Sequence, residues 1–240
     1  MLAAGPGRRL QELTRSLPKA LLQIDARRTI LDMALTNLRS AGIEHVYVVA
    51  GFAAERLAER VPELERRHGL RLHLLYNDRA EDMNNAYSLW LARDVFAEGA
   101  LLVNGDTLHP AAVEERLLAG RGPELLIALD DQKQLADEEM KVLVTKDGLL
   151  RTIGKDLDPA SAAGEYVGLA LIEATGAAAL AQALERTWKR DPALYYEDAF
   201  QEFVDAGGVV GTVPIGGVEW VEVDDAADLA RAREIATRSY

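Results

Sequence analysis

Gly5 and Gly7 stand two residues apart behind the short apolar run Leu2-Ala3-Ala4, and Arg9 and Lys19 follow within fifteen positions. Glycines so placed let a backbone turn sharply and aim N–H groups at a phosphate, and the two cations would add mobile charge to that cradle. The spacing is that of neither a P-loop nor a complete dinucleotide fingerprint. A plain structural turn is the commoner meaning of a lone Gly-x-Gly. The pairing of that turn with Pro18-Lys19 is the more specific feature.

Carboxylates form the second set. Asp106 follows Gly105 at the end of the apolar run 100–103, which places it at the carboxyl edge of a strand, where ligands of open α/β sheets bind. The ordinary reading of such an Asp is a helix cap or turn residue. In the segment 220–225, "WVEVDD", strand alternation puts Trp220, Glu222 and Asp224 on one face. Carboxylates gathered opposite Asp106 would repel one another unless a cation sat among them. Hard oxygen donors without His or Cys favour Mg²⁺, with Asp106 and Asp224 as ligands and Glu222 as a weaker third. The four histidines (His45, His68, His73, His109) match no metal-ligand spacing.

Those residues need a scaffold, and the apolar pattern supplies one. Short β-branched runs at 45–51, 70–77, 99–106 and 124–130 alternate with helical patterns at 28–41, 53–67, 84–95 and 110–119. Strands separated by helices of 10–15 residues imply βαβ units and a parallel sheet covered on both faces. After residue 130 the rhythm changes. Residues 140–153 read as a hairpin around Asp147-Gly148, which suits a tight primed turn. A strand at 164–173, helices near 175–190 and 196–206, late strands within 207–225 and a helix at 225–238 opened by Asp225 complete the chain. The fold class is α/β: a Rossmann-like mixed, mainly parallel sheet with an antiparallel extension at its edge. One domain spanning 1–240 is expected, with halves at 1–130 and 131–240. Only Met1–Ala4 precede Gly5, short beside the usual strand of about 5–6 residues. Either the first strand is truncated or the native start lies upstream.

Composition narrows the classes of function. The 240 residues carry a net charge of −12, which argues against non-specific binding to nucleic acid or anionic membranes. The first 28 residues run the other way, with six basic side chains (Arg8, Arg9, Arg15, Lys19, Arg27, Arg28) against Glu12 and Asp25. A basic, glycine-containing opening on an acidic chain suits a polyanionic small molecule, although an exposed charged helix face would look the same. The absence of cysteine removes disulfides, thiolate nucleophiles, Fe–S clusters and Cys-ligated zinc. No apolar run approaches the length of a membrane span, and the opening lacks the pattern of a signal peptide. The chain reads as a soluble cytoplasmic protein.

With these motifs in view, "LAAGPGRRL…PKALL" resembles the signature of the nucleotidyltransferases that join a nucleoside triphosphate to a phosphorylated small molecule and release pyrophosphate. The resemblance continues through 41–55, 101–106, 153–157, 164–170 and 220–225. "NNAYSLWLA" (84–92), "EEMKV" (138–142) and "YYEDAF" (195–200) are most similar to the CTP-dependent branch, the phosphocholine, inositol-1-phosphate and phosphonate cytidylyltransferases. The resemblance implies a nucleotide-diphospho-sugar transferase type of fold, and assigns nucleotide binding to the half at 1–130 and acceptor binding to the half at 131–240. It also implies Lys19, with Arg9, as the catalytic cation at the α-phosphate and Mg²⁺ on Asp106 and Asp224. Nucleotide contacts would come from Leu2, Ala3, Ala4, Gly5, Gly7, Arg9, Lys19, Gly105 and Asp106, and base recognition from Asn84, Asn85 and Ser88. Without the resemblance, Asn84 is as readily a helix cap, with Asn85 and Ser88 facing solvent. Lys141, Lys155 and Glu165 resemble acceptor-holding positions, and Tyr195, Tyr196 and Glu197 would meet a cationic tail. Surface lysines and a dipole-compensated helix start are the ordinary alternatives for these. The implied partners are CTP and a small phosphonate or phosphomonoester, the phosphonate favoured by an Ala/Arg-rich composition, with a homodimer left open.

Overall fold

A computed structural model describes residues 1–239. In chain order the elements are β1 (Leu2–Ala3), two 3₁₀ segments (Arg8–Thr14 and Lys19–Leu21), α1 (Ile30–Ser40), β2 (His45–Ala50), α2 (Ala54–His68) and β3 (Arg71–Tyr76). There follow α3 (Asn85–Leu91), α4 (Arg93–Phe96), β4 (Ala100–Val103), β5 (Thr107–Leu108), α5 (Ala112–Ala119) and β6 (Leu125–Asp130). The chain continues with β7 (Lys141–Val144), β8 (Leu150–Gly154), β9 (Gly164–Ile172), α6 (Ala174–Arg190), α7 (Tyr196–Asp205), β10 (Val210–Pro214), β11 (Val221–Glu222) and α8 (Ala226–Ser239). Two compact units interleave along it: the first takes Met1–Asp82, Val103–Glu114 and Val218–Tyr240, the second Met83–Leu102 and Glu115–Gly217. Each unit draws on both sides of residue 130.

In the first unit β1, β2 and β3 form a parallel sheet, with Leu2 beside Val49 and His45 beside Arg71. β1 has two residues but is tied on both sides, because Leu2 also bridges Asn104 in parallel. Helix α1 begins where Thr29 and Asp32 cap each other: Asp32 N donates to Thr29 Oγ1 and Thr29 N to Asp32 Oδ2. Asp32 is fully buried and also accepts from Arg67 and His68 at the end of α2. Burial disfavours that charge, yet its donors outweigh the cost and hold the carboxyl far below its ordinary range.

The second unit holds a six-stranded sheet in the order β10-β6-β9-β7-β8, with β4 also on β9. β10 and β6 are parallel, whereas β6–β9, β9–β7 and β7–β8 are antiparallel. The hairpin strands β7 and β8 form the expected antiparallel edge of this sheet, and β9, all nine of whose residues are buried, runs between β6 and β7. The hairpin at 140–153 forms, but around a different turn. Gly148 alone has positive φ (75°), its N–H meets Thr145 O, and the register shifts between Leu143 and Val144. A primed turn needs positive φ at Asp147 as well. The 84–95 helix is interrupted at Ala92 into α3 and α4. Tyr87, Trp90 and Trp188 pack together, and Tyr166, Tyr196 and Phe200 form a second aromatic group. No helix among the described residues is long and apolar enough to cross a membrane.

Candidate active site

Two very short strands create the candidate site of the first unit. β5 and β11 pair antiparallel, Leu108 with Val221 and Thr107 with Glu222, and Val223 N extends the ladder to Asp106 O at 2.9 Å. Strand alternation buries Val221 and Val223 with Leu108, Leu229 and Ile235. The opposite face therefore carries Glu222 and Asp224, beside Asp106. Oxygen atoms of these three carboxylates all lie within 4.8 Å of one another. Asp224 is fixed along its main chain, since its N–H and that of Asp225 both donate to Asp228 Oδ2 at 3.0 Å, at the entry to α8.

Lys19 joins that group from the other end of the sequence. Pro18 sets an extended turn before the second 3₁₀ segment, and the Lys19 ammonium donates to Asp106 Oδ2 at 2.8 Å and to Asp224 Oδ1 at 2.7 Å. Arg9 donates to the other oxygen of Asp224 at 2.7 Å, from a far more exposed position. Burial by itself would lower the Lys19 pKa, but the two carboxylates overcome it and raise the ammonium above its usual range. Lys19 is therefore a fixed, fully charged cation.

The glycine turn lies beside it. Gly7 has φ 58°, in the region that favours glycine, and its carbonyl accepts from Thr14 Oγ1 at 2.8 Å. Gly105 is required for closeness: its N–H donates to Leu2 O, and a Cβ there would lie 2.6 Å from that oxygen. Leu2, Ala3, Gly5, Gly7, Lys19, Gly105 and Asp106 line one pocket, together with Ala20, which the sequence did not single out. Ala4 is buried, and its carbonyl accepts from Phe52 N. Three hard-oxygen carboxylates this close fit a small divalent cation such as Mg²⁺.

The remaining residues singled out belong to the second unit, and several are engaged in structure. Asn84 caps α3, accepting from Asn85 N, and its own N–H groups donate to Pro192 O and Ala193 O. Asn85 Oδ1 accepts from Tyr196 N, tying the starts of α3 and α7, and Ser88 is buried. The cap expected as the alternative for Asn84 is what forms, whereas Ser88 is buried and Asn85 is half-buried. Lys141 is fully buried, and its ammonium donates to the carbonyls of Ala136, Asp137 and Glu139. That charge folds a loop instead of reaching toward an acceptor, because three oxygens take its three donors. Tyr196 likewise is core: fully buried, with its hydroxyl on Tyr166 at 3.1 Å, it is closed to a cationic tail.

Glu165, Lys155, Tyr195 and Glu197 stand differently. Glu165 is buried and pairs with Lys133, a residue the sequence did not reveal, which also pairs with Glu139. Burial, and after it Glu139 and Asp130, raise the Glu165 pKa against the pull of Lys133. The Lys155 ammonium lies 5.5 Å from the centre of the exposed Tyr195 ring, within cation–π range. Glu197 is buried, its Oε2 meets no hydrogen-bond partner among the described residues, and burial pushes its carboxyl up to about 7.

A glycine-bordered pocket with a fixed lysine between strand-edge carboxylates is the candidate site of this α/β fold, and the chain belongs to the MobA-like NTP transferase domain family, whose profile matches residues 1–199. Among its relatives, the chain is 32% identical over 242 residues to the CMP-5'-(3-aminopropyl)phosphonate synthase of Streptomyces rubellomurinus, covering 97% of this chain and 37% of that protein. It is 32% identical over 102 residues to the choline-phosphate cytidylyltransferase of Streptococcus pneumoniae, covering 42% of each. The fold is that of the inositol-1-phosphate CTP transferase from T. maritima, with a TM-score of 0.84 at 22% identity over 99% of this chain and 93% of that one. The chain matches between 37% and 51% of the length of its first curated relatives.

Proposed function

We propose that this chain is a Mg²⁺-dependent cytidylyltransferase that transfers CMP from CTP to a small phosphonate or phosphomonoester, with a phosphonate as the preferred acceptor, and releases pyrophosphate. The observation that carries the reading is Lys19, held 2.8 and 2.7 Å from Asp106 and Asp224 at the rim of the glycine-bordered pocket. The names of the relatives from Streptomyces and Streptococcus support a cytidine nucleotide and an acceptor that joins an anionic phosphorus group to a nitrogen-bearing tail.

An acceptor oxygen of a phosphonate or phosphate is anionic at neutral pH, so no general base is needed. It attacks the α-phosphorus of CTP in line, one P–O bond forms, and the bond to pyrophosphate breaks. Lys19 would neutralise charge on the α-phosphate as that exchange proceeds, and Arg9 would add charge from the rim. The N–H groups of the Gly5–Gly7 turn would orient the phosphates. Asp106 and Asp224, with Glu222 beside them, would hold Mg²⁺, which supplies charge stabilisation at the phosphate oxygens when bound. Lys155, Tyr195, Glu165 and Glu197 are the acceptor residues of this reading, the buried carboxyls suiting an ammonium.

A second reading, a sugar-1-phosphate nucleotidyltransferase using UTP or dTTP, gains from the engagement of Asn84 and Asn85 in helix starts, which leaves fewer amide groups for a cytosine. One assay separates the two: pyrophosphate release with CTP, UTP and dTTP, each offered 2-aminoethylphosphonate, phosphonoformate, phosphocholine, inositol-1-phosphate and glucose-1-phosphate. Turnover is expected with CTP and an aminoalkylphosphonate. A preference for UTP or dTTP with glucose-1-phosphate would transfer the argument to the second reading.

A further inference from the structure

The Lys19 ammonium touches one oxygen of Asp106 and one of Asp224, and Arg9 takes the remaining oxygen of Asp224. The carboxylates suited to a divalent cation are thus bound to the cations suited to a triphosphate. Lys19 is largely buried, so this contact is not a loose surface pair screened by water. A side-chain ammonium and a hydrated Mg²⁺ cannot share the same oxygens at bonding distance without two cations being brought together.

We propose that Lys19 and the divalent metal are alternative occupants of the Asp106–Asp224 pair, so that the metal enters only as a triphosphate draws Lys19 away. The inference rests on the metal-binding part of the function proposed above, and adds an order of events to it. Before nucleotide arrives, Lys19 neutralises the pair internally and keeps two carboxylates from facing each other uncompensated. An incoming triphosphate offers Lys19 and Arg9 a better anion, the carboxylates lose their counter-ions, and the metal replaces them. Each ligand then strengthens the other by the same factor, since the displacement of Lys19 is shared between them. Arg9 has a smaller part: it holds a single oxygen from an exposed position.

The test is binding of Mn²⁺ alone, without nucleotide, followed by loss of the free-ion paramagnetic resonance signal. Lys19→Met is expected to bind Mn²⁺ about tenfold or more tightly than the unaltered chain, in the range typical of coupled sites. Arg9→Ala should gain less, and Arg8→Ala, which removes a nearby charge without this contact, should gain least. Equal gains in all three would show a general field effect and overturn the exchange, as would no gain in Lys19→Met. Adding Asp106→Asn to Lys19→Met separates the two levels of the argument. If Mn²⁺ binding is unaffected, the carboxylates do not hold the metal and the reading beneath this one fails too. If binding weakens while Lys19→Met gave no gain, only the exchange fails. Should Lys19→Met not fold, crystals of the unaltered chain soaked in Mn²⁺ alone give the answer: metal on Asp106 and Asp224 with Lys19 still on both would overturn the proposal, and Lys19 in place without metal would support it.

Discussion

Lys19 Nζ and Asp224 Oδ1 lie 2.7 Å apart across 205 positions of sequence. The same ammonium reaches Asp106 across 87 positions, so three segments remote in sequence meet at one nitrogen. The β5–β11 ladder brings the two acids together, and the turn after Pro18 brings the lysine to them.

Removal of either acid should stop the reaction. Asp106→Ala or Asp224→Ala is expected to lower Mg²⁺-dependent pyrophosphate release by on the order of 10³-fold, several kcal/mol of transition-state stabilisation. Raising Mg²⁺ should recover little of it. Turnover within tenfold of the unaltered chain would remove the metal from these residues.

Lys19→Ala should act on kcat. A cation that neutralises charge developing at the α-phosphate contributes chiefly in the transition state, so kcat is expected to fall by about 10²–10³-fold with a smaller rise in KM for CTP. A rise in KM alone would make Lys19 a ground-state binding residue.

Lys141→Met should act through stability. The substitution keeps the buried length but strips three carbonyl oxygens of their donor, and the cost is expected to be about 3 kcal/mol. Urea denaturation measures it. KM for CTP should be unchanged, because the loop at 136–139 is what the ammonium holds.

Glu197 supplies a pH signature. Burial raises its folded pKa from 4.5 to about 7, so the folded chain binds more protons than the unfolded one between those values. Stability should therefore fall as pH rises from about 4.5 to 7 and level off above, a loss of up to ~3 kcal/mol. Glu197→Gln keeps the uncharged state at every pH and should lack this slope. Parallel stability curves for the two proteins between pH 4.5 and 8 would sink the assignment.

The elements with a strong period were legible before any coordinates. β2, β3, β6 and β9 are apolar runs with turn residues at their ends, α1 lies within the helical apolar pattern at 28–41, and Asp225 caps α8 with two accepted N–H bonds. β5 was not legible, because a strand of two residues has no period to read. That matters for the site, since β5 pairs with β11 and so sets Asp106 beside Glu222 and Asp224. Alternation predicted which face Glu222 and Asp224 share, but nothing local states which strand faces them.

The polar residues divide in the same way. The resemblance implied that Asn84, Asn85, Lys141 and Tyr196 meet a ligand, but residue type does not say which donors the backbone will claim first. Asn84 went to a helix cap, Asn85 to the start of α7, Lys141 to three carbonyls and Tyr196 to an aromatic core. Lys133 and Ala20 carry no local signal at all, one acquiring its place from Glu165 and Glu139, the other from a pocket wall. By itself the sequence determined the α/β class, the strands and helices with strong periods, and the residue types able to handle phosphate and metal, because these depend on neighbours a few positions away. Tertiary structure alone decided which acids converge, that Lys19 stands between them, and which polar groups were consumed in folding, because those outcomes depend on contacts across tens to hundreds of positions, where burial makes every unpaired donor costly.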